Sequence, residues 1–293
     1  MPSAVKRIFL TAILFAVFCI PASADEPPAR IVSLSPSLTH IVYALGEFDR
    51  IVGVTIYSEF PPEAAKLPKV GGWVNPNFEA VVALRPDAVL LMKDQDSMFG
   101  DKLRTLGLRT VIVNGNDSVA DIIDTIEFLG RLLDREDKAK EVAGHVEASL
   151  AAVKKRTENL PRKKVLLVVG RNPGTLEDIY VIGQNNYINE LIEIAGGENV
   201  VKNERFSLKL TREAILTLDP DVIIEVNHEQ PDKEEEIVEI WNGLPEARAV
   251  RNGNVYILPT TVVLHPSQTI AEGIEVLAGV LHPEAGEGNG NVN

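Results

Sequence analysis

Residues 77–91 read NFEAVVALRPDAVLL, and residues 211–225 read TREAILTLDPDVIIE. Each stretch opens on a residue suited to cap a helix, Asn77 or Thr211, because a short side-chain oxygen can accept from the first free N–H groups. Glu79 and Glu213 follow in the first turn, where the helix dipole favours a carboxylate. An apolar run at helical spacing leads to Leu84 or Leu218. Pro86-Asp87 and Pro220-Asp221 then stop the helix, because proline disfavours helical geometry in the residue before it. A short apolar strand follows. Glu79 to Glu213, Leu84 to Leu218 and Asp87 to Asp221 are each separated by 134 residues. A helix–turn–strand unit repeated at constant offset implies two similar βα halves.

The surrounding sequence extends both halves. In the first, Ile31–Leu34, Ile51–Val54, Ala88–Leu91 and Thr110–Val113 read as short buried strands. Helical patterns lie at Leu38–Leu45, Phe78–Leu84, Ser97–Leu106 and Ser118–Leu133. In the second, Val165–Val169, Ile179–Ile182, Val222–Val226 and Val255–Leu258 read as strands. Tyr187–Ala195, Arg212–Leu218, Lys233–Trp241 and Thr269–Leu281 read as helices. Short apolar strands alternating with helices indicate mostly parallel sheets. Between the halves, Asp134–Asn159 contains no proline and carries Ala139, Val142, Ala143, Val146, Leu150 and Val153 at helical spacing. Such a helix is roughly 39 Å long, enough to cross a domain, and Pro161 ends it. The fold class is therefore α/β, with two pseudo-symmetric lobes joined by one long connecting helix. The expected organisation is a leader over 1–24, an N-terminal lobe over 25–133, the helix over 134–160, a C-terminal lobe over 161–283 and a disordered tail over 284–293.

The leader reading rests on Lys6 and Arg7, the apolar run Ile8–Ile20, and Ala22-Ser23-Ala24 before Asp25. Basic, apolar and small-residue segments in that order mark a secretory signal peptide, and the apolar run is too short to span a membrane. Cleavage near Ala24 removes Cys19, the only cysteine, and with it any disulfide or thiolate chemistry. It also removes two cations, making the formal charge more negative than −13. So acidic a surface disfavours nucleic acid and anionic lipid as partners. The expected product is a soluble, monomeric periplasmic protein.

IVSLSPSLTH at 31–40, YSEFPPEA at 57–64, GGW at 71–73, AGGENV at 195–200 and GIEVLAGVLHPE at 273–284 stand in order around the two repeats. Together they resemble the helical-backbone class of periplasmic substrate-binding proteins of ABC importers, and look most similar to its cobalamin binders. The resemblance runs from about Arg30 to Glu284. It implies two α/β lobes on one long helix, a solute in the cleft between them, no catalysis and no resident cofactor. It also implies that Glu79 and Glu213 meet arginines of the membrane permease; a favourable first-turn charge would explain either glutamate alone, but the recurrence of both at one repeat position favours docking.

Loops after strands supply the candidate solute contacts, since strand ends are where such folds hold ligands. These are Ser35 and Pro36, Tyr57, Trp73, Arg171 and Asn172, Phe206, and His265. Trp73 and Tyr57 match positions where the cobalamin binders place aromatics against a flat ligand. Trp241, at helical spacing with Ile237, reads as packing. Arg171 either pairs an anionic group of the solute or closes a local ion pair. His265 either reaches a metal centre or is solvated. At His40 family members often carry Glu, which would complete a capping box with Ser37. RFSLKL and TTVVLHPS, at 205–210 and 260–267, depart from the cobalamin pattern, which leaves heme and ferric siderophores as alternative cargoes to a corrinoid.

An exported enzyme is disfavoured because no Gly-x-Ser-x-Gly elbow and no Gly-x-Gly-x-x-Gly loop occurs. A bare zinc or manganese carrier would need His40, His228 and His265 to converge, with no HxH or HxxxH pair to support it.

Overall fold

The computed structural model describes residues 26–114, 117–227 and 233–285. The expected leader, the end of the tail and His228 lie outside them. The first lobe contains β1 (Ile31–Ser33), α1 (Pro36–Ala44), β2 (Ile51–Val54), α2 (Phe78–Ala83) and β3 (Ala88–Met92). It continues through α3 (Lys93–Gln95), a π turn over Asp96–Gly100, α4 (Asp101–Thr105), β4 (Thr110–Val113) and α5 (Val119–Leu132). Its four strands pair in parallel in the order β2-β1-β3-β4.

The long helix α6 runs Glu136–Thr157. It starts two residues later than the sequence reading because Asp134 takes a left-handed φ of 59° and closes α5. Glu136 and Asp137 lie in its first turn and Lys154, Lys155 and Arg156 in its last, both signs matching the helix dipole. At its start Arg135 pairs with buried Glu47, 2.6 Å away, which also holds Arg50.

The second lobe contains β5 (Lys163–Gly170), β6 (Ile179–Ile182), α7 (Tyr187–Ile194), β7 (Gly197–Asn199) and β8 (Ser207–Leu210). After them come α8 (Arg212–Leu218), β9 (Val222–Asn227), α9 (Glu234–Trp241), α10 (Arg248–Arg251), β10 (Val255–Pro259), α11 (Thr260–Val263) and α12 (Ile270–Leu281). β10, β9, β5 and β7 pair in parallel; β6 and β8 add antiparallel pairings. The sequence reading lacks β7, β8, α10 and α11.

The two halves match in detail. Asn77 Oδ1 accepts from the Ala80 N–H at 3.0 Å, and Thr211 Oγ1 from the Ala214 N–H at 3.3 Å. Arg85 and Asp219, one repeat apart, both take φ 47°. Asp87 accepts from the Arg30 N–H and Asp221 from the Lys164 N–H, each at 2.9 Å. Each Pro-Asp turn thus grips the strand beside it and sets the register, Ile31 against Ala88 and Val165 against Val222. The carboxylate gives a backbone N–H at the start of each strand a partner it would otherwise lack.

Side chains alternate across each sheet. One face of each joins a private core, Val32, Val89 and Leu91 in the first lobe and Leu166, Val168 and Ile223 in the second. The opposite faces, with Ile31 and Leu90 or Val165 and Ile224, belong to one apolar cluster shared by both lobes. Ile126 and Leu129 of α5, Ala143, Val146 and Leu150 of α6, Leu191 of α7, and Ile274 and Leu277 of α12 carry that cluster between the lobes. Where α5 and α6 touch, a Cβ on Gly130 would stand 2.3 Å from Cβ of Ala139, so only glycine fits. Among the described residues no helix is long and apolar enough to cross a membrane.

Candidate functional site

A cavity of about 650 Å³ lies between the lobes, within the range of small-molecule sites. Ser35, Pro36, Ser37, Tyr57, Glu59, Trp73, Met92, Lys93 and Asp94 line it from the first lobe, with Asp117 beside α5. Phe206, Thr260, Leu264, His265 and Pro266 face them from the second.

Ser35 is the N-cap of α1 in extended geometry, and Pro36 follows at the first helical position, where its missing N–H costs nothing. The helix therefore begins before Leu38. Ser37 does not cap it, so there is no capping box for His40 to break. His40 is instead buried on α1, with 1% of its surface exposed.

The Trp73 loop turns at Gly71, whose φ of 96° suits glycine; a Cβ there would meet the Asn75 carbonyl and the Asn77 nitrogen at 2.7 Å. Gln95, fully buried, clamps the loop from beneath. Its Nε2 donates to the Trp73 carbonyl at 2.9 Å and the Leu34 carbonyl at 2.8 Å, while its Oε1 accepts from the Met92 N–H at 3.0 Å. The Tyr57 turn is held by the Thr55–Ser58 hydroxyl pair at 3.0 Å and by the Ile56 N–H donating to the Gly71 carbonyl. Lys69 closes the following loop by donating to the carbonyls of Ser58 and Ala64. Desolvation lowers its pKa, with Glu59 nearby opposing that shift. Phe206 stands at the entry to β8, its carbonyl accepting from the Gly183 N–H at 3.0 Å. Tyr57 and Phe206 are 58% and 48% exposed.

His265 follows α11, which is fixed by the buried Tyr187 hydroxyl donating to the Val263 carbonyl at 2.7 Å. Its ring meets that of His40 edge-on across the lobes, with centroids 5.0 Å apart. Burial, reinforced by the neighbouring His265, lowers the pKa of His40 to about 3, so its imidazole is neutral. His40 faces a second interlobe pocket with Tyr43 and Phe60 rather than the main cavity. Among the described residues no three metal-ligating side chains converge.

Arg171 and Asn172 do not line the cavity. The Arg171 side chain is 5% exposed and pairs with Glu225 at 3.0 Å, donating also to the carbonyls of Asn172 and Thr175. Trp241, fully buried, donates its indole N–H to the same Glu225 carboxylate at 2.6 Å. Of the two readings of Arg171, the local ion pair matches this geometry. Exposed Asn172 forms the turn between β5 and β6, its N–H donating to the Glu177 carbonyl.

The sequence reading misses Glu59, Lys93, Asp94 and Asp117 on the cavity wall and Gln95 beneath it. Placing the helix start at Ser97 put Lys93 and Asp94 in an undefined loop. They instead form the first turn directly after β3. Glu79 and Glu213 stand exposed in the first turns of α2 and α8. Hydrogen bonds from its own backbone N–H and the Thr211 hydroxyl hold the Glu213 carboxyl below its usual pKa.

Residues 31–262 match a family described as periplasmic binding protein. An uncharacterized ABC transporter substrate-binding lipoprotein of Bacillus subtilis, YvrC, is 31% identical over 88% of this chain and 82% of its own. A vitamin B12-binding protein of Vibrio parahaemolyticus is 28% identical, covering 86% of this chain and 90% of its own. The crystal structure of a periplasmic heme-binding protein from Pseudomonas aeruginosa superimposes with a TM-score of 0.76 at 24% identity, over 87% of this chain and 93% of its own.

Proposed function

The chain belongs to the periplasmic binding protein family, and from that premise we propose that it carries a planar metal chelate, a corrinoid first, in the cleft between its lobes. The family's members are exported solute-binding components of ABC importers and not catalysts, and that is the role of this chain. Delivery to an inner-membrane permease follows from the same membership.

One observation carries the cargo reading. Three aromatic rings, Tyr57 and Trp73 from one lobe and Phe206 from the other, line a single cleft of about 650 Å³. Aromatic faces on opposing walls suit a flat, largely apolar ligand, because stacking adds to the area that each ring buries. The vitamin B12 binder among the relatives supports a corrinoid. Heme is the second reading, favoured by His265 on the cleft wall, since imidazole is a common axial ligand of metal macrocycles. For docking we retain Glu79 and Glu213, two exposed carboxylates at symmetric helix starts, as the contacts for a basic permease surface.

Absorbance titration with cyanocobalamin, hemin and a ferric hydroxamate tests the cargo reading, because each chromophore shifts when it leaves water. Saturable binding of the corrinoid is the expected result, with Trp73→Ala weakening it by about tenfold or more, the scale of an aromatic hot spot. No spectral change with any of the three would end the proposal.

A further inference from the structure

The charged side chains on the cleft wall are unbalanced. Among the described residues, Glu59, Asp94 and Asp117 face the cavity against a single ammonium, Lys93. All four are exposed, and none forms an ion pair with another described residue. Lys69 lies behind Glu59 and offsets part of its charge, but its ammonium is occupied by two backbone carbonyls. Among the described residues the second lobe adds no lysine or arginine to the wall; its contribution is Phe206, Thr260, Leu264, His265 and Pro266. The cation that sequence alone offers for an anionic cargo, Arg171, is buried against Glu225. The amino end of α1 adds a partial positive charge of about one half at most, with Pro36 contributing no N–H. That is too little to reverse the sign set by the carboxylates.

Resting on the reading of this cleft as the cargo site, we infer that it selects by charge, taking rings with a neutral, amide-bearing or cationic periphery and rejecting rings fringed with carboxylates. The physical reason is focusing. Charges at the rim of a cleft with apolar walls act on whatever lies between them more strongly than charges on a flat surface. The carboxylates also accept hydrogen bonds, so peripheral amide N–H groups gain partners where carboxylates would meet repulsion. By this logic a corrinoid, whose ring carries amides, is preferred over a porphyrin bearing two propionates.

The test is a charge series on one ring, with the exported chain titrated by cyanocobalamin and by its mono- and dicarboxylate hydrolysis products. Hemin is compared with its diamide in the same way. Affinity is expected to fall about fivefold for each carboxylate introduced at low salt, the scale of a partly screened charge contact. Raising the salt concentration should close the gap. Asp94→Asn combined with Asp117→Asn, both exposed positions, should narrow it as well. Equal or tighter binding of the carboxylate forms overturns the charge selection while leaving the cleft as the cargo site. Failure of every ring in every charge form overturns the cargo reading and this inference together.

Discussion

At Arg171 a side chain that the sequence offers to cargo is engaged by Glu225 in a buried ion pair. Its guanidinium, the Glu225 carboxylate and the Trp241 indole N–H form a buried network in the second lobe. Removing either Arg171 or Glu225 leaves the other's buried charge uncompensated, which costs about 3–5 kcal/mol. Glu225→Ala and Arg171→Ala are each expected to lower stability on that scale in urea denaturation. Cargo affinity, measured where the variants are still folded, should stay at the wild-type value. A selective loss of affinity with stability intact would return Arg171 to the binding site. The network is invisible in sequence because Glu225 stands 54 residues from Arg171, in a mostly apolar strand. Tyr57, Trp73 and Phe206 were legible for the opposite reason. Each lies in a loop between elements, where a large ring has no helix or strand face to join, Phe206 standing just ahead of β8. Glu59, Asp94 and Asp117 were not, since an acidic loop residue in an acidic chain reads simply as solvated.

Among the elements, α2 and α8 show how far a repeat can be read. Their caps, first-turn glutamates, left-handed ends and gripping aspartates recur one for one, because each depends on neighbours within a few residues. β7 and β8 escaped notice because GEN and SLKL contain no apolar run; pairing with β5 and β6 makes them strands. The symmetry also gives the docking proposal its form. Equivalent helix starts present equivalent carboxylates, as a permease with two related halves would require. Charge reversal at an exposed first turn costs under about 1 kcal/mol per site, so Glu79→Lys with Glu213→Lys should still fold. Uptake of labelled cargo by cells is expected to be lost, while affinity in solution changes by less than about twofold, because rim charges steer partners without entering the cleft. Uptake at the wild-type rate would reduce both glutamates to helix-dipole partners.

For the whole molecule, the decisive feature is that the lobes are not joined by a helix alone. α6 was readable from periodicity, but its role depends on contacts that no local pattern reveals. α5 lies along it from the first lobe, with Gly130 against Ala139, and α7 and α12 lie along it from the second. The apolar cluster that results is continuous from Ile31 to Leu281. Closing the cleft by a wide hinge motion would shear that cluster and expose part of it, at about 25 cal/mol for each Å² of apolar surface uncovered. Strand hinges avoid this cost because their crossover carries no core. Cargo should therefore be taken up with a small adjustment of the loops at Tyr57, Trp73 and His265, and with little change in the relation of the two sheets. Small-angle scattering with and without saturating cargo is the measurement, and nearly superimposable curves are the expected result. A large fall in the radius of gyration on binding would mean that the shared core opens, and that α6 bends where its packing says it should not.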